Sequence, residues 1–284
     1  MTPILELRNI QKSYRRRGER QQVLHGINLT IAPGECVGLV GRSGCGKSTL
    51  IKIIARLIDA DDGTLLFDGE DVTQAKGAAL RHLYDRLQII FQLPQASFDP
   101  RHTIGWSIAE PLRAHGLSPA DCHARVLSLL AQVGLPKAHA GRYPHEVSGG
   151  ECQRASIARA LALSPALLIC DEATSALDVT VQQDIIALLR RLIADQQMAC
   201  LFVTHDLALL PQIADRIVVL ANGSVAESGD VSDIICHPQS MAAKELLSAA
   251  CQLQENALKK KPVTDISLDI GNRLSHTHHL QRCR

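Results

Sequence analysis

The chain has 284 residues, 46% hydrophobic and 21% charged, which is enough apolar content to bury one large core or two small ones and excludes a wholly disordered protein. Lys+Arg number 30 against Asp+Glu 29, a net charge of +1, so the chain lacks the basic field that concentrates nucleic acid, and no nucleic-acid partner is expected. The start, Met1-Thr2-Pro3-Ile4-Leu5-Glu6, shows no charged-then-apolar leader, and every apolar run breaks short of about 18 residues, so neither secretion nor a membrane span is expected.

Residues 4–10 and 22–31 alternate apolar and polar side chains, which predicts two half-exposed antiparallel strands, with Arg15-Arg16-Arg17-Gly18 as a solvated loop between them. Tyr14, placed just after the first strand, offers a ring that can stack on a purine, although an exposed tyrosine is more often only a surface residue. Residues 36–40 predict a buried strand and residues 50–57 a helix. Between them stands Gly41-Arg42-Ser43-Gly44-Cys45-Gly46-Lys47-Ser48-Thr49, a glycine, four residues, then Gly-Lys-Ser. Its glycines let the backbone aim successive N–H groups at one anion, and the following helix adds its positive end. Lys47 brings a full charge, and the Ser48 hydroxyl can ligate Mg²⁺. A triphosphate cradle is expected, which by itself says nucleotide and no more.

A turn at 61–63, a strand at 64–68 and a helix near 75–85 follow, and then a buried strand at 87–92 ends on Gln92, whose amide can reach an ion or water beside the phosphates. Residues 94–100 read as loop and 103–133 as mostly helical, with Ser118-Pro119-Ala120-Asp121 as a helix start, giving a helical insertion at about 93–146. Ser148, Gly149 and Gly150 open a further helix over 151–163, a second anion site in the same chain. Residues 167–172 carry four apolar side chains into Asp171 and Glu172, the way a buried parallel strand delivers carboxylates to a phosphate edge. Asp171 is placed for the Mg²⁺ shell and Glu172 to orient and polarise the attacking water.

Residues 199–204 repeat that form and end at His205, which can contact a γ-phosphate, although a lone histidine is more often a surface imidazole. Residues 216–220 and 224–228 flank Asn222-Gly223 as a hairpin, and helices over 231–236 and 239–254 close the globular part. The nine cysteines, an odd number without CxxC spacing, are expected to be buried reduced thiols. Residues 255–284, with Lys259-Lys260-Lys261-Pro262 and then His276, His278, His279 and Cys283, read as a disordered polar tail rather than a metal sensor, because nothing there preorganises ligands.

Taken in order, these stretches resemble the nucleotide-binding subunits of ATP-binding-cassette (ABC) transporters over roughly residues 4–250. The resemblance implies an α/β P-loop ATPase with a mainly parallel core sheet, an N-terminal antiparallel β-layer and an α-helical subdomain, filling 1–254. It implies that Tyr14 stacks on adenine and that Gly41, Ser43, Gly44, Cys45, Gly46, Lys47, Ser48 and Thr49 hold the phosphates. Ser48, Gln92 and Asp171 would serve Mg²⁺, and Glu172, His205 and Lys47 would be catalytic. Val147 to Glu151 is similar to the family signature, whose Ser148, Gly149, Gly150 and Glu151 would act on ATP held by another cassette, and Ser175-Ala176-Leu177-Asp178 is similar to its D-loop. Val147, Glu151 and Ala173 depart from the usual Leu, Gln and Pro.

The family's partners would be a second ATPase, either a different chain or a copy of this one, two membrane-spanning permease subunits and, indirectly, a solute-binding protein. The setting would be the cytoplasmic face of a bacterial inner membrane. Residues 91–104, Asp178-Val179-Thr180-Val181-Gln182 and His237-Pro238-Gln239-Ser240 resemble the peptide/nickel importer subfamily, and residues 41–47 and 199–205 its nickel branch. Nickel is therefore the expected solute, with di- or oligopeptides as the alternative. Non-transport ABC ATPases fit less well. No heptad array lies between Gln92 and Ser148, and each motif occurs once.

Overall fold

The computed structural model describes residues 2–16 and 19–259. The antiparallel layer has the order β2-β1-β4-β5, from β1 (Leu5–Arg16), β2 (Glu19–Ile31), β4 (Asp62–Phe67) and the short β5 (Glu70–Asp71). Leu5 lies opposite Ile31 and Tyr14 opposite Gln21. Tyr14 is thus inside β1 rather than after it, because pairing continues through Arg15 and Arg16, which the sequence reading assigned to a loop. The remainder of that basic run, Arg17 and Gly18, lies outside the described residues.

The second sheet has the order β10-β9-β3-β8-β7-β6. It is built from β3 (Cys36–Val40), β6 (Leu87–Ile90), β7 (Leu167–Asp171), β8 (Ala199–Val203), β9 (Arg216–Ala221) and β10 (Ser224–Asp230). All neighbours pair parallel except the β9–β10 hairpin. That hairpin turns at Asn222 and Gly223, with φ of 47° and 73°. Positive φ at both central residues gives a turn whose twist suits antiparallel strands.

The apolar runs of β3, β7 and β8 are continuous because both faces of the sheet are covered. Val37, Leu39, Leu167, Ile169, Leu201 and Val203 join the core shared with the antiparallel layer and α1 (Lys47–Ile54). Their neighbours Cys36, Val40, Leu168, Cys170, Cys200 and Phe202 face a core that includes side chains from α3 (Ile104–Ala114), α4 (Pro119–Gln132), α5 (Gly149–Ala160) and α6 (Val179–Gln196). The same core takes in α7 (Leu210–Ile213), α8 (Val231–Cys236) and α9 (Met241–Lys259), while α2 (Gly77–Arg86) precedes β6. Ser118 caps α4 by accepting the Asp121 N–H at 3.2 Å, as its sequence predicts, a contact worth about 1 kcal/mol.

Helix α9 runs beyond residue 254 to Lys259, since no glycine or proline interrupts the chain before Pro262. The tail residues His276, His278, His279 and Cys283, read as part of a disordered polar tail rather than a metal sensor, lie outside the described residues. Cys36, Cys45, Cys122, Cys152, Cys170 and Cys200 are free and buried, as expected. Cys236 is disulfide-bonded and departs from that expectation. Among the described residues no helix is long and apolar enough to cross a membrane.

Candidate active site

The cradle forms where β3 ends and α1 begins. Gly46 caps α1 with φ of 112°, in a region closed to most side chains. Gly41 is required for a different reason: a Cβ there would lie 2.3 Å from the Leu220 carbonyl oxygen and 2.6 Å from the Cys45 Sγ. The loop is therefore pressed against β9, while Arg42, Ser43 and Gly44 stay exposed. Lys47 is 8% exposed. Its Nζ donates to the Gly41 carbonyl at 2.6 Å and to the Arg42 carbonyl at 3.2 Å, so the ammonium is held within the loop it would serve. Ser43, Gly44 and Ser48 are exposed. Cys45 is buried, and its carbonyl accepts the Gly223 N–H at 3.1 Å.

Parallel strands put their C-terminal ends on one edge, the place where open α/β sheets bind ligands. Gln92 follows β6, Glu172 follows β7 and His205 follows β8. The structure brings these three together. Gln92 Nε2 donates to Glu172 Oε2 at 3.0 Å, and His205 Nδ1 lies 3.4 Å from Glu172 Oε1. Glu172 adopts φ of 48°, a left-handed turn that costs a non-glycine residue about 1 kcal/mol and is held by its N–H donating to the Val203 carbonyl at 3.0 Å. Asp171 is half-buried. Burial first, and then the Glu172 charge, raise its pKa, while Lys47 and Lys52 oppose the shift. A divalent cation would relieve both penalties. The sequence-assigned donors, the Ser48 hydroxyl, the Asp171 carboxylate and the Gln92 amide oxygen, are all oxygen, the set that suits Mg²⁺.

The other predicted residues lie apart from that cluster. Among the described residues no hydrogen bond or ion pair joins Ser148, Gly149, Gly150 or Glu151 to the cradle. Instead the signature leans on the D-loop and α6: a Cβ on Gly149 would lie 3.7 Å from Leu177, and one on Gly150 2.7 Å from Val181. Asp178 caps α6, accepting the Val181 N–H at 3.0 Å. Tyr14 is 41% exposed, with the Lys12 ammonium 5.7 Å from its ring centre. Its strand pairs with β2, whose Leu24 and Val23 abut Gly46 of the cradle.

Sequence reasoning missed three contacts. Ser175 Oγ accepts from Gln92 at 3.2 Å and donates to the Glu172 carbonyl at 3.0 Å, bracing the glutamate. Nothing in its sequence position announces this. Arg42 pairs with Glu245 of α9 at 3.3 Å, a long-range contact invisible to local pattern. Glu151 completes a capping box with Ser148. That one was legible, since Ser-Gly-Gly-Glu fits the Ser-x-x-Glu pattern.

A family model described as ABC transporter matches residues 24–175. The chain is 44% identical over 255 residues to the glutathione import ATP-binding protein GsiA of Pectobacterium atrosepticum, and 42% to that of Escherichia coli. Each match covers 87% of this chain and 41% of the relative, so the chain spans about two fifths of the length of these curated proteins. Among solved structures, the dimeric post-hydrolysis state of the ATP-binding cassette MJ0796 bound to ADP and Pi matches with a TM-score of 0.73 at 30% identity, over 80% of this chain and 98% of that one.

Proposed function

The chain belongs to the ABC transporter family and is an ATPase of that fold, and from that premise we propose that it powers import of a small peptide from the cytoplasmic face of a bacterial inner membrane. The observation that carries the reading is the meeting of Gln92, Glu172 and His205 at the sheet edge beside the cradle. In this reading ATP lies on Gly41 to Thr49 with its adenine on Tyr14. Lys47 leaves its two carbonyls for the β- and γ-phosphates, which offer the ammonium full negative charge in place of neutral oxygen.

Ser48, Gln92 and Asp171 would hold Mg²⁺, which supplies charge neutralisation to the phosphates. Glu172 orients a water for in-line attack and takes its proton. Gln92 occupies Oε2 of that carboxylate, and Ser175 fixes the backbone beneath it. His205, 64% exposed, donates to the γ-phosphate as charge builds there. Ser148, Gly149 and Gly150, which make no hydrogen bond or ion pair with this chain's own cradle among the described residues, serve ATP bound by a second cassette, and closure of the pair pulls on permease subunits held against the helical subdomain, about 93–146. The partner cassette is a different chain or a copy of this one. The remaining domain assignment, 1–254 for the ATPase and 255–284 as a polar tail, belongs to the same proposal, with residues 255–259 continuing α9.

The solute is the point at which the motif-based leaning changes. Residues 41–47 and 199–205 suggest nickel, but proteins 42–44% identical over 255 residues are named for glutathione import, which supports the peptide alternative better. Uptake of labelled glutathione, dipeptides and nickel by cells with and without this chain tests the choice. Loss of peptide uptake alone is expected, and loss of nickel uptake with peptide uptake intact would sink the peptide reading.

A further inference from the structure

His139 stands outside every motif and yet touches one. It lies in the short 3₁₀ segment Lys137–Gly141, and its Nε2 is 3.1 Å from Glu151 Oε1. The other carboxylate oxygen, Oε2, accepts the Ser148 N–H at 2.8 Å and the Ser148 hydroxyl at 2.8 Å. One carboxylate therefore joins a ring in the helical subdomain to the serine that opens α5. The ring is committed to this bond. Its side chain is 15% exposed, and its Nδ1 is buried with no hydrogen-bond partner. An Nδ1–H tautomer would bury an unsatisfied donor and turn the Nε2 lone pair on a carboxylate, so the Nε2–H form is the one this pocket accepts.

Glu151 is held in its charged form, its pKa lowered first by the Ser148 amide, then by the Ser148 hydroxyl and His139. A full negative charge thus sits on the hydroxyl that, in the function proposed above, must turn to a phosphate of the partner's ATP. Unrelieved, that charge repels the phosphate and keeps the hydroxyl proton for itself. The family's usual glutamine would carry no such charge.

We propose that His139 is a positioning residue for the signature: its Nε2–H anchors Glu151 and draws off its charge, so that Ser148 can serve the partner's nucleotide. The proposal rests on the signature reading of Ser148. It also gives the signature a physical link to the α3–α4 body, because Gly105 of α3 is packed on Ala140, the residue after His139, and the Ile104 N–H donates to the Arg142 carbonyl at 2.8 Å.

A double-mutant cycle tests it, measured as ATP hydrolysis by the full chain in its reconstituted transporter. His139→Ala is expected to cost about tenfold, the scale of one charge-assisted hydrogen bond, and His139→Gln, which keeps an N–H donor, less than about threefold. In a Glu151→Gln background, His139→Ala is expected to cost less than about twofold, because no charge remains to be drawn off. A merely structural hole at 139 would cost the same in both backgrounds, and that additive result overturns the proposal, as does a His139→Ala variant with wild-type hydrolysis. Circular dichroism and thermal midpoints establish that each variant is folded, and His139→Leu, which fills the space without a donor, carries the test should His139→Ala not fold. Ser148→Arg separates the two readings. If it leaves hydrolysis intact, the signature assignment itself fails; if it abolishes hydrolysis while the cycle is additive, only the role of His139 falls.

Discussion

Gly41→Ala and Gly44→Ala form a matched pair that tests whether the cradle is shaped by close contact or by backbone conformation. At Gly41 the added methyl would sit 2.3 Å from the Leu220 carbonyl oxygen and 2.6 Å from the Cys45 Sγ. An ordinary carbon–oxygen contact is about 3.3 Å, so backbone must move by roughly 1 Å. Neither neighbour can yield freely, because Leu220 belongs to β9 and the carbonyl of Cys45 is bonded to Gly223. The loop that moves is the one proposed to hold the phosphates. Overpacking of this kind costs about 1–3 kcal/mol. If all of it falls on the nucleotide-bound conformation, ATP affinity drops by about 5- to 150-fold.

At Gly44 a methyl meets nothing within 4 Å, and the penalty is only the left-handed φ of 79°. That costs about 1 kcal/mol, roughly fivefold in affinity at most. Titration of the full chain with a fluorescent ATP analogue reads both, with a thermal melt to separate misfolding from weakened binding. A Gly41→Ala protein that binds like wild type, or a Gly44→Ala protein that binds worse than Gly41→Ala, would refute the reasoning.

Lys47→Ala removes the cation seated on the Gly41 and Arg42 carbonyls and is expected to weaken ATP binding by about 10- to 150-fold, the worth of a charge-assisted bond, in the same titration. Glu172→Gln keeps the shape that bonds Gln92 but cannot take a proton, so hydrolysis should fall by about 10²- to 10⁴-fold while ATP still binds. Gel filtration with ATP should then show a lasting closed dimer, and wild-type hydrolysis by this variant would remove Glu172 from its role. Asp171→Asn tests the electrostatics. A carboxyl whose folded pKa is raised binds protons more tightly when folded, so its charge costs stability as pH rises above its unfolded value of 3.8. Without nucleotide the variant should therefore melt higher than wild type at neutral pH and the two should converge in acid, while Mg²⁺-dependent hydrolysis is lost. A lower melting point at pH 7 would count against the assignment.

The parts of the fold that were legible in sequence are those set by local rules. The continuous apolar runs of β3, β7 and β8 announce strands covered on both faces, and Asn222-Gly223 and Ser118-Pro119 announce a turn and a helix start. The misreadings have physical causes of equal simplicity. Arg15 and Arg16 look like loop because they are charged, but the backbone pairing of β1 with β2 continues through both, and a ribbon tolerates a charge such as the exposed Arg15. Of the site, the acids, the lysine and the histidine could be read from residue type at a strand exit. Ser175, Glu245 and His139 could not, because each acts through a partner brought near by tertiary packing, at separations of 83, 203 and 12 residues.

Strand order explains why Gln92, Glu172 and His205 gather at one sheet edge. In the sequence β10-β9-β3-β8-β7-β6, the cradle strand β3 neighbours β8, β8 neighbours β7, and β7 neighbours β6. Strands spaced about 4.8 Å apart therefore set the exits at His205, Glu172 and Gln92 roughly 5, 10 and 15 Å from the end of β3, a span a Mg²⁺-bound triphosphate and its attacking water can bridge. Helix α5 is not part of that edge. It packs among α3, α4, α6 and β6, and its N-terminal serine is engaged by Glu151 and, through it, by His139. A phosphate on the cradle would thus be approached from the sheet by the groups assigned to hydrolysis, whereas Ser148 is bonded to Glu151 and Gly149 and Gly150 lie against Leu177 and Val181. On the proposed reading both sets are satisfied at once only by the phosphate of a second cassette, and the Ser148–Glu151 bond of 2.8 Å would then be the resting state of a half-site.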